Sequence, residues 1–356
     1  MTLGEFLKAV TEAPGPSGYE EEVRQIVRSA FSPYCDELRV DPMGNVWAVR
    51  RATRRADRAP RIMLAAHMDE IGFVVKKIDA HVLRVSQVGG FDVRILPGQP
   101  VLVHGKVPLP GVIGSRPPHV LPPDEREKVI PLDELFVDVG LTAEELPRYV
   151  RVGDLITLRR GYVELRNGLV MSKALDDRAG VAALYSCLQE LQALQHSWDV
   201  FAVATTQEEV GLRGAMTSAY GVAPDAAIAV DVTFGRTPDC PDIGTFELDK
   251  GPCIARGPNI HPVMFSLLEE TAKRLEIPYQ TEPIPGRSGT DAWAIQVARE
   301  GVPTGLVGLP LRYMHTPGEV VCLRDIERAG RLLAHLVAML DERVLSRFRA
   351  PLGSSS

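Results

Sequence analysis

The sequence predicts an α/β fold in which a mixed sheet flanked by helices is interrupted by a small β-barrel-like insert. Helix and strand patterns alternate at both ends of the chain, which is typical of α/β units. Between residues 73 and 162 the pattern changes to short β-prone segments separated by glycine and proline, with little helix. We therefore expect one discontinuous α/β domain, residues 1–72 and 163–350, an insert domain, residues 73–162, and a disordered tail, residues 351–356.

The first α/β segment is predicted to contain two helices followed by three strands. Residues 2–12 have weak helical character. Ser17 and Glu20 form a capping-box pattern, so a second helix is expected to begin after Ser17 and to continue to about Phe31. Apolar and β-prone runs then predict strands at Leu38–Val40, Asn45–Ala48 and Ile62–Ala66. The last of these strands ends directly at His67.

The insert and the C-terminal segment complete the predicted order of elements. In the insert, strands are expected at Phe73–Val75, Leu83–Val85, Pro100–Val103, Gly111–Ile113 and Leu155–Leu158, with brief helical stretches at Pro131–Glu134 and Thr142–Leu146. Beyond Ser172, helices are predicted at 177–195, Gly211–Tyr220, Pro262–Leu275, Asp291–Arg299 and Leu323–Val344. Strands are predicted between them at Val200–Ala204, Ala226–Val230, Pro278–Thr281 and Thr304–Val307.

Composition and charge argue against several classes of function. The chain has 356 residues and a formal net charge of −6, with no basic run of the kind that binds nucleic acid. It has no stretch of about 18 apolar residues to span a membrane, and its first residues lack the pattern of a secretory signal. Five scattered cysteines without a CxxC pair argue against a disulfide framework and a zinc knuckle. We therefore expect a cytoplasmic protein without nucleic-acid or membrane partners.

Two histidines and several carboxylates stand where predicted strands end or a helix begins. His67 follows a strand, and Asp69 lies two residues on, where its carboxylate can orient the imidazole. The other candidates are Asp176 with Asp177 at a helix start, Glu208 and Glu209 after a strand, Asp231 closing a strand, and His315 in a later loop. Each alone has an ordinary explanation as a helix cap, a solvated loop or a structural histidine. Together, at the carboxyl ends of one sheet, they predict a metal site.

The candidate ligands suit a pair of zinc ions. Two Zn²⁺ carry four positive charges, of which Asp176, Glu209 and Asp231 balance three and a bridging hydroxide balances the fourth. If Asp176 bridges, each zinc has one histidine, one terminal carboxylate, the bridge and the shared hydroxide, which is the four-coordinate arrangement that zinc favours. Of two adjacent glutamates, one can bind a metal while the other remains free to move a proton.

Nine short motifs occur in order over nearly the whole chain. They are PSGYEEEVR (Pro16–Arg24), AAHMDEIGF (Ala65–Phe73), GVIGSRPPH (Gly111–His119), LFVDVG (Leu135–Gly140), KALDDRAG (Lys173–Gly180), TTQEEVGLRGA (Thr205–Ala215), AVDVT (Ala229–Thr233), SGTDA (Ser288–Ala292) and RYMHTPGE (Arg312–Glu319). Each motif is modest by itself, but their order and spacing are specific. In these motifs the chain resembles the tetrahedral, or glutamyl/leucyl-type, co-catalytic di-zinc metalloaminopeptidases.

The resemblance implies a zinc-peptidase-type fold and a metal-dependent aminopeptidase that hydrolyses N-terminal residues from short peptides with a free N-terminus. It implies the following roles: one metal on His67, Asp176 and Asp231, a second on Asp176, Glu209 and His315, Glu208 as general base for a two-metal-activated bridging water, and Asp69 behind His67. The α/β part would be the catalytic domain, and the insert would help dimers to assemble into a dodecamer. Zn²⁺ is the expected metal, and Co²⁺ suits the same ligands.

The resemblance also points to a substrate pocket beside the motif SGTDA. Thr290 and Asp291 are therefore candidate substrate-binding residues, although either could equally be only the N-cap of the next helix. Arg287, just before the motif, could favour acidic substrate side chains, but it is more typical of an ordinary surface arginine.

Two other functions fit the same residues. A two-metal deacylase of small amides would use the same ligands, because the pocket and not the fold separates the two activities. A catalytically silent, shell-forming scaffold protein would share the fold, although the complete set of ligands argues against it. A glycosidase is disfavoured because Glu208 and Glu209 are sequence neighbours and the histidines would have no role.

Overall fold

A computed structural model of the chain describes residues 1–54, 59–124, 126–241 and 243–350. It contains a large mixed β-sheet flanked by helices and a separate, closed six-stranded barrel. The predicted fold class, an α/β sheet interrupted by a barrel-like insert, is therefore confirmed. The prediction of a disordered tail at 351–356 lies outside the described residues.

The helices and strands follow one another in mixed order along the chain. The α-helices are α1 (Leu3–Glu12), α2 (Glu21–Phe31), α3 (Leu146–Tyr149), α4 (Leu175–Glu190), α5 (Arg213–Val222), α6 (Pro262–Arg274), α7 (Asp291–Ile295), α8 (Leu323–Met339) and α9 (Glu342–Arg349). The strands are β1 (Glu37–Val40), β2 (Val46–Arg50), β3 (Arg61–His67), β4 (Gly72–Asp79), β5 (Val82–Val88), β6 (Pro100–His104), β7 (Pro108–Gly114), β8 (Phe136–Asp138), β9 (Leu155–Leu158), β10 (Val163–Glu164), β11 (Leu169–Ser172), β12 (Asp199–Thr205), β13 (Ala226–Phe234), β14 (Cys253–Arg256), β15 (Gln280–Pro283), β16 (Thr304–Arg312) and β17 (Glu319–Cys322). Over the parts of the chain that the structure describes, no helix is both long and apolar enough to cross a membrane.

The large sheet has a parallel centre with antiparallel strands on both sides. Its order is β1-β2-β12-β3-β13-β16-β17-β11-β10, with β14 paired to β16 and β15 paired to β14. Strands β12, β3, β13 and β16 run parallel, so their carboxyl ends meet at one edge. These strands are mostly buried apolar runs, as expected where helices cover a parallel sheet. Helix α4 packs against β3 and β13 and brings its first turn to that edge.

The barrel closes in the order β4-β5-β8-β7-β6-β9. Its interior is filled by apolar side chains, among them Phe73, Val103 and Ile156, that form a core separate from the core of the large sheet. Closure pairs each barrel strand on both sides and so removes free strand edges. All six strands lie between Gly72 and Leu158, and their folding as a separate domain stays a prediction.

Ser17 does not cap the second helix, contrary to the capping-box prediction. Helix α2 begins at Glu21, and its N-cap residue, Glu20, makes no side-chain capping hydrogen bond. The Ser17 hydroxyl donates instead to Asp69 Oδ2 over 2.6 Å, and Glu20 Oε1 accepts from the backbone N–H of Gly18. The local pattern is overridden because the fully buried Asp69 carboxylate requires donors.

Several elements differ in extent from their predictions. The predicted final helix, Leu323–Val344, is broken at Leu340, whose backbone is extended, and Asp341 then caps α9. Strand β16 continues to Arg312 and strand β13 to Phe234, each beyond its predicted end, because the two strands stay in parallel register. Because β13 is longer than predicted, it includes the polar residues Asp231 and Thr233.

Candidate active site

The predicted site residues gather at the carboxyl edge of the parallel strands. His67 is the last residue of β3, and Glu208 and Glu209 follow β12 in the loop before α5. Asp231 was predicted to close its strand but lies inside β13, because the strand continues beside β16. Residues with left-handed backbone conformations, including Gln207, flank these positions. Such conformations are energetically costly and persist where the surrounding structure holds them, as is common at functional sites.

Asp176, in the first turn of α4, lies between the two predicted histidine ligands. Its Oδ1 is 3.1 Å from Nε2 of His67, and its Oδ2 is 3.2 Å from Nε2 of His315. The backbone N–H groups of Asp176 and His315 both donate to the buried carboxylate of Glu319, at 3.1 and 2.8 Å. Glu319 therefore fixes the two residues relative to each other. One carboxylate oxygen facing each imidazole is the arrangement that a bridging metal ligand needs.

The other predicted ligands join the same cluster. His315 Nε2 also lies 3.4 Å from Oε1 of Glu209. In the described parts of the chain, two groups at this site have potential ligand atoms within 4.8 Å of one another: His67, Asp176 and Glu209, and His67, Asp177 and Asp231. The structure thus brings all five predicted ligands together and adds Asp177, which had no predicted ligand role. The division of these side chains between two ions stays a prediction.

Asp69 contacts both the first histidine and the glutamate loop. Its carbonyl oxygen is 3.2 Å from Nδ1 of His67, and its carboxylate Oδ1 is 3.6 Å from the same nitrogen. The carboxylate accepts hydrogen bonds from the backbone N–H groups of Glu208 and Glu209, at 3.0 and 3.2 Å, and from Ser17. A proton held on Nδ1 by these acceptors leaves the Nε2 lone pair free to bind a metal ion.

The two histidines lie in a strongly acidic environment. Burial lowers the pKa of His67, but the neighbouring carboxylates of Asp176, Asp69 and Glu208 outweigh burial and raise this pKa well above its usual value. Burial also lowers the pKa of His315, and contacts with Asp176 and Glu209 raise it to about 11. The pKa of Asp176 is raised by burial yet lowered overall by the same two imidazoles.

When ionised, the remaining carboxylates would carry more negative charge than nearby cationic side chains of the described residues can neutralise. Burial raises the pKa of Asp177 and Asp231 well above its ordinary value, and neighbouring acids raise it further. Burial and nearby acids also raise the pKa of Glu208 to about 10, although His67 opposes the shift. Among the described residues, the ion pairs of the cluster involve only the histidines and no lysine or arginine. Buried acids without cationic partners are costly, so this set of nitrogen and oxygen ligands fits divalent cations.

A cavity of about 490 Å³ adjoins the cluster, a volume ordinary for a ligand site. Its wall includes His67, Asp176, Glu208, Glu209, Asp231, Glu282, Arg287, Thr290 and His315. Thr290 also caps α7 by accepting from the backbone N–H of Ala292, whereas Asp291 lies off the wall, buried, and accepts from the Thr205 hydroxyl. Substrate binding by Thr290 and Asp291 stays a prediction. A larger cavity of about 910 Å³ beside Asn259 contains none of the predicted ligands.

A buried ion-pair network beside the site was not predicted from the sequence. Glu70 Oε2 accepts from Nζ of Lys173 at 2.7 Å, and its Oε1 lies 3.3 Å from Nη2 of Arg178. All three side chains are buried. The network joins the loop that directly follows His67 to the segment around the start of α4, which carries Asp176. The motifs AAHMDEIGF and KALDDRAG contain these charged residues, which was the only sign of the network in the sequence. The pairing of Glu70 with Lys173 could not be predicted because the two residues are 103 positions apart.

Known proteins resemble the chain over nearly its full length. The family described as M42 glutamyl aminopeptidase matches residues 44–332. The lysyl aminopeptidase of Pyrococcus furiosus is 36% identical over 349 residues, covering 96% of this chain and 98% of that protein. The structure of the TET aminopeptidase from the marine sediment archaeon Thaumarchaeota archaeon SCGC AB-539-E09 matches with a TM-score of 0.92 at 35% identity, covering 97% of this chain and 98% of that one. The Pyrococcus horikoshii TET1 peptidase, which can assemble into a tetrahedron or a large octahedral shell, matches with a TM-score of 0.83 at 32% identity, covering 95% of this chain and 100% of that one.

Proposed function

The chain belongs to the M42 glutamyl aminopeptidase family and is a peptidase, and from this premise we propose that it is a two-metal aminopeptidase. It removes residues one at a time from short peptides with a free N-terminus. The observation that carries the proposal is the Asp176 carboxylate, whose two oxygens face the Nε2 atoms of His67 and His315 within a set of buried acids.

His67, Asp176, Glu209, Asp231 and His315 would hold two divalent ions. Imidazole nitrogens combined with carboxylate oxygens are typical ligands of Zn²⁺, and Co²⁺ suits them as well. When bound there, the ions would polarise the scissile carbonyl and lower the pKa of a water molecule. The surplus of buried carboxylates supports two ions rather than one, because a single divalent ion would leave most of the acids without a partner.

Glu208 is the general base. Its Oε2 is 4.0 Å from His67 Nε2, its side chain is 10% exposed, and it lines the cavity. The carboxylate accepts a proton from the attacking water as the water oxygen bonds to the carbonyl carbon. It then donates this proton to the leaving amine as the C–N bond breaks, which regenerates the carboxylate in each cycle.

The acidic wall of the cavity favours a free N-terminal amine. Carboxylates are prominent among the charged side chains that line the cavity, and a cationic amine is attracted to such groups. An acyl group removes this charge and adds bulk. The amine therefore distinguishes an aminopeptidase from a deacylase that uses the same metal ligands.

The chain also assembles into a homo-oligomer under this proposal, as dimers that form a tetrahedral dodecamer. Support comes from the similarity to a shell-forming peptidase, which extends over 95% of this chain and so includes the barrel. Light scattering tests this assembly, with an expected mass of twelve chains of 38.9 kDa. A monomer at micromolar concentration would contradict it.

Aminoacyl p-nitroanilides with a free or an acetylated amine test the substrate class. We expect hydrolysis only of the free-amine substrates, complete loss of activity after treatment with a chelator, and recovery with Zn²⁺ or Co²⁺. Hydrolysis of the acetylated substrates alone would identify a deacylase. Metal-loaded protein that hydrolyses neither set would be a silent scaffold, and either result would overturn the proposal.

A further inference from the structure

One carboxylate on the cavity wall lies outside the proposed metal centre. Glu282 belongs to β15, which pairs with β14, and its side chain lines the same cavity as the proposed metal ligands. Its Oε1 accepts a hydrogen bond from the Thr233 hydroxyl at 2.7 Å. Within the described ranges, no cationic side chain pairs with it. Burial raises the pKa of Glu282, and the Thr233 hydrogen bond opposes this shift only in part.

A glycine on β16 provides the space that Glu282 occupies. A Cβ atom at Gly308 would lie 3.0 Å from Glu282 Oε2 and 3.1 Å from Cγ2 of Thr233. Such contacts are tighter than ordinary van der Waals packing, so the absence of a side chain at Gly308 permits the carboxylate to approach the sheet. The Thr233 hydroxyl and the space at Gly308 thus position the Glu282 carboxylate against the sheet.

The position of Thr233 sets the distance from Glu282 to the reaction centre. Thr233 lies two residues beyond the proposed ligand Asp231 on β13, on the same face of the strand. Two residues of a strand span roughly 6.6 Å. A substrate residue whose amine and carbonyl are held at the metal centre therefore needs a long side chain to reach Glu282. The stems of lysine and arginine have this length.

Arg287 also lines the cavity, and its positive charge would favour acidic substrates. Its exposure to solvent weakens this electrostatic attraction. Arg287 is exposed, whereas Glu282 is partly buried. Water and salt screen an exposed guanidinium more than a partly buried carboxylate. Apolar side chains on the wall, including Leu212 and Ile284, can pack against the methylene groups of a basic side chain.

We propose that Glu282 determines specificity and that the cavity selects peptides whose first residue is lysine or arginine. This inference rests on the aminopeptidase function proposed above. The cationic end of the substrate side chain binds the Glu282 carboxylate as a charge-assisted hydrogen bond. An apolar first residue leaves that carboxylate without a cationic partner, and an acidic one places two negative charges together.

Kinetics with lysyl, arginyl, leucyl and glutamyl p-nitroanilides test the inference on metal-loaded wild type, Glu282→Gln and Arg287→Gln. We expect wild type to prefer the two basic substrates. Glu282→Gln keeps the shape but removes the charge, so the ratio of kcat/KM for lysyl over leucyl substrate should fall about 10- to 100-fold, mainly through KM. Arg287→Gln is the matched control on the same wall, and it should keep the preference for lysyl over glutamyl substrate.

Several outcomes would overturn the inference. An equal loss on all four substrates in Glu282→Gln would place this residue at the substrate amine, not at the side chain. A wild-type preference for leucyl or glutamyl substrate would refute the assigned specificity while leaving the aminopeptidase intact, whereas no hydrolysis of any substrate would refute the proposed function itself. If Glu282→Gln does not fold, the inference can be tested by inhibiting wild type with L-lysine and with L-norleucine, which have the same aliphatic chain. We expect stronger inhibition by L-lysine, and equal inhibition by the two amino acids would contradict the inference.

Discussion

Replacing Glu208 by glutamine tests whether Glu208 transfers the proton while the adjacent Glu209 binds metal. Glutamine keeps the shape of the side chain and its backbone N–H keeps the 3.0 Å hydrogen bond to Asp69 Oδ1, but it cannot accept the proton of water. Glu208 Oε2 lies 4.0 Å from His67 Nε2, farther than the 3.1 Å that separates this nitrogen from Asp176 Oδ1. The change should therefore leave the metal ligands in place.

The expected loss is that of a general base. Such groups contribute about 10²- to 10⁴-fold to rate, or roughly 3–5 kcal/mol of barrier. We expect kcat for a free-amine p-nitroanilide to fall by about this factor, with the metal content measured by plasma mass spectrometry unchanged. Glu209→Gln is the matched control: Glu209 Oε1 lies 3.4 Å from His315 Nε2, so this variant should lose metal.

Two results would refute this reasoning. Metal-loaded Glu208→Gln with wild-type turnover would show that the proton passes through another group. A loss of metal from Glu208→Gln, combined with full metal in Glu209→Gln, would show that the two glutamates have exchanged roles. Circular dichroism of both variants checks that neither result comes from misfolding.

The remaining predictions concern residues around the site. Ser17→Ala removes the hydroxyl that donates to Asp69 at 2.6 Å, and urea denaturation should show a loss of about 1–3 kcal/mol, with unchanged stability as the contradicting result. Glu70→Gln leaves two buried cations without their carboxylate and should lower the free energy of unfolding by about 3–5 kcal/mol, whereas Glu37→Gln, in a partly exposed ion pair, should change it little. Equal effects of the two substitutions would contradict the network. Gly308→Ala crowds the carboxylate of β15 and should lower the lysyl-to-leucyl ratio, and an unaltered ratio would argue against the close approach.

The clustering of the candidate metal ligands could be predicted from the sequence because the signals of these residues are local. An apolar run that ends at His67, and another that ends just before Glu208, mark buried parallel strands, and such strands place their last residues at one edge. Asp231 lies near this edge, as predicted, although the predicted strand Ala226–Val230 was shorter than β13. Strand β13 is extended by its pairing with β16, which is a tertiary interaction. The residue pattern within β13 does not predict this extension.

Contacts between distant segments could not be predicted in the same way. Ser17 and Glu20 have the spacing of a capping box, but the Ser17 hydroxyl binds Asp69, 52 residues away. In the substrate pocket, Arg287 could be predicted because it is close to the motif SGTDA in sequence. Glu282 could not be predicted, because it reaches the cavity from β15 by packing over Gly308. Such contacts depend on strand order and curvature, which single-residue patterns do not encode.

The number of divalent ions per chain tests the central claim most directly. Plasma mass spectrometry of dialysed wild type and of Asp176→Asn, together with the activity of both, provides the measurement. We expect two ions per wild-type chain, and in the variant the loss of at least one ion and of activity, because both imidazoles lose the carboxylate that faces them at 3.1 and 3.2 Å. Active wild type without a bound divalent metal, or a variant that keeps two ions and full activity, would contradict the account.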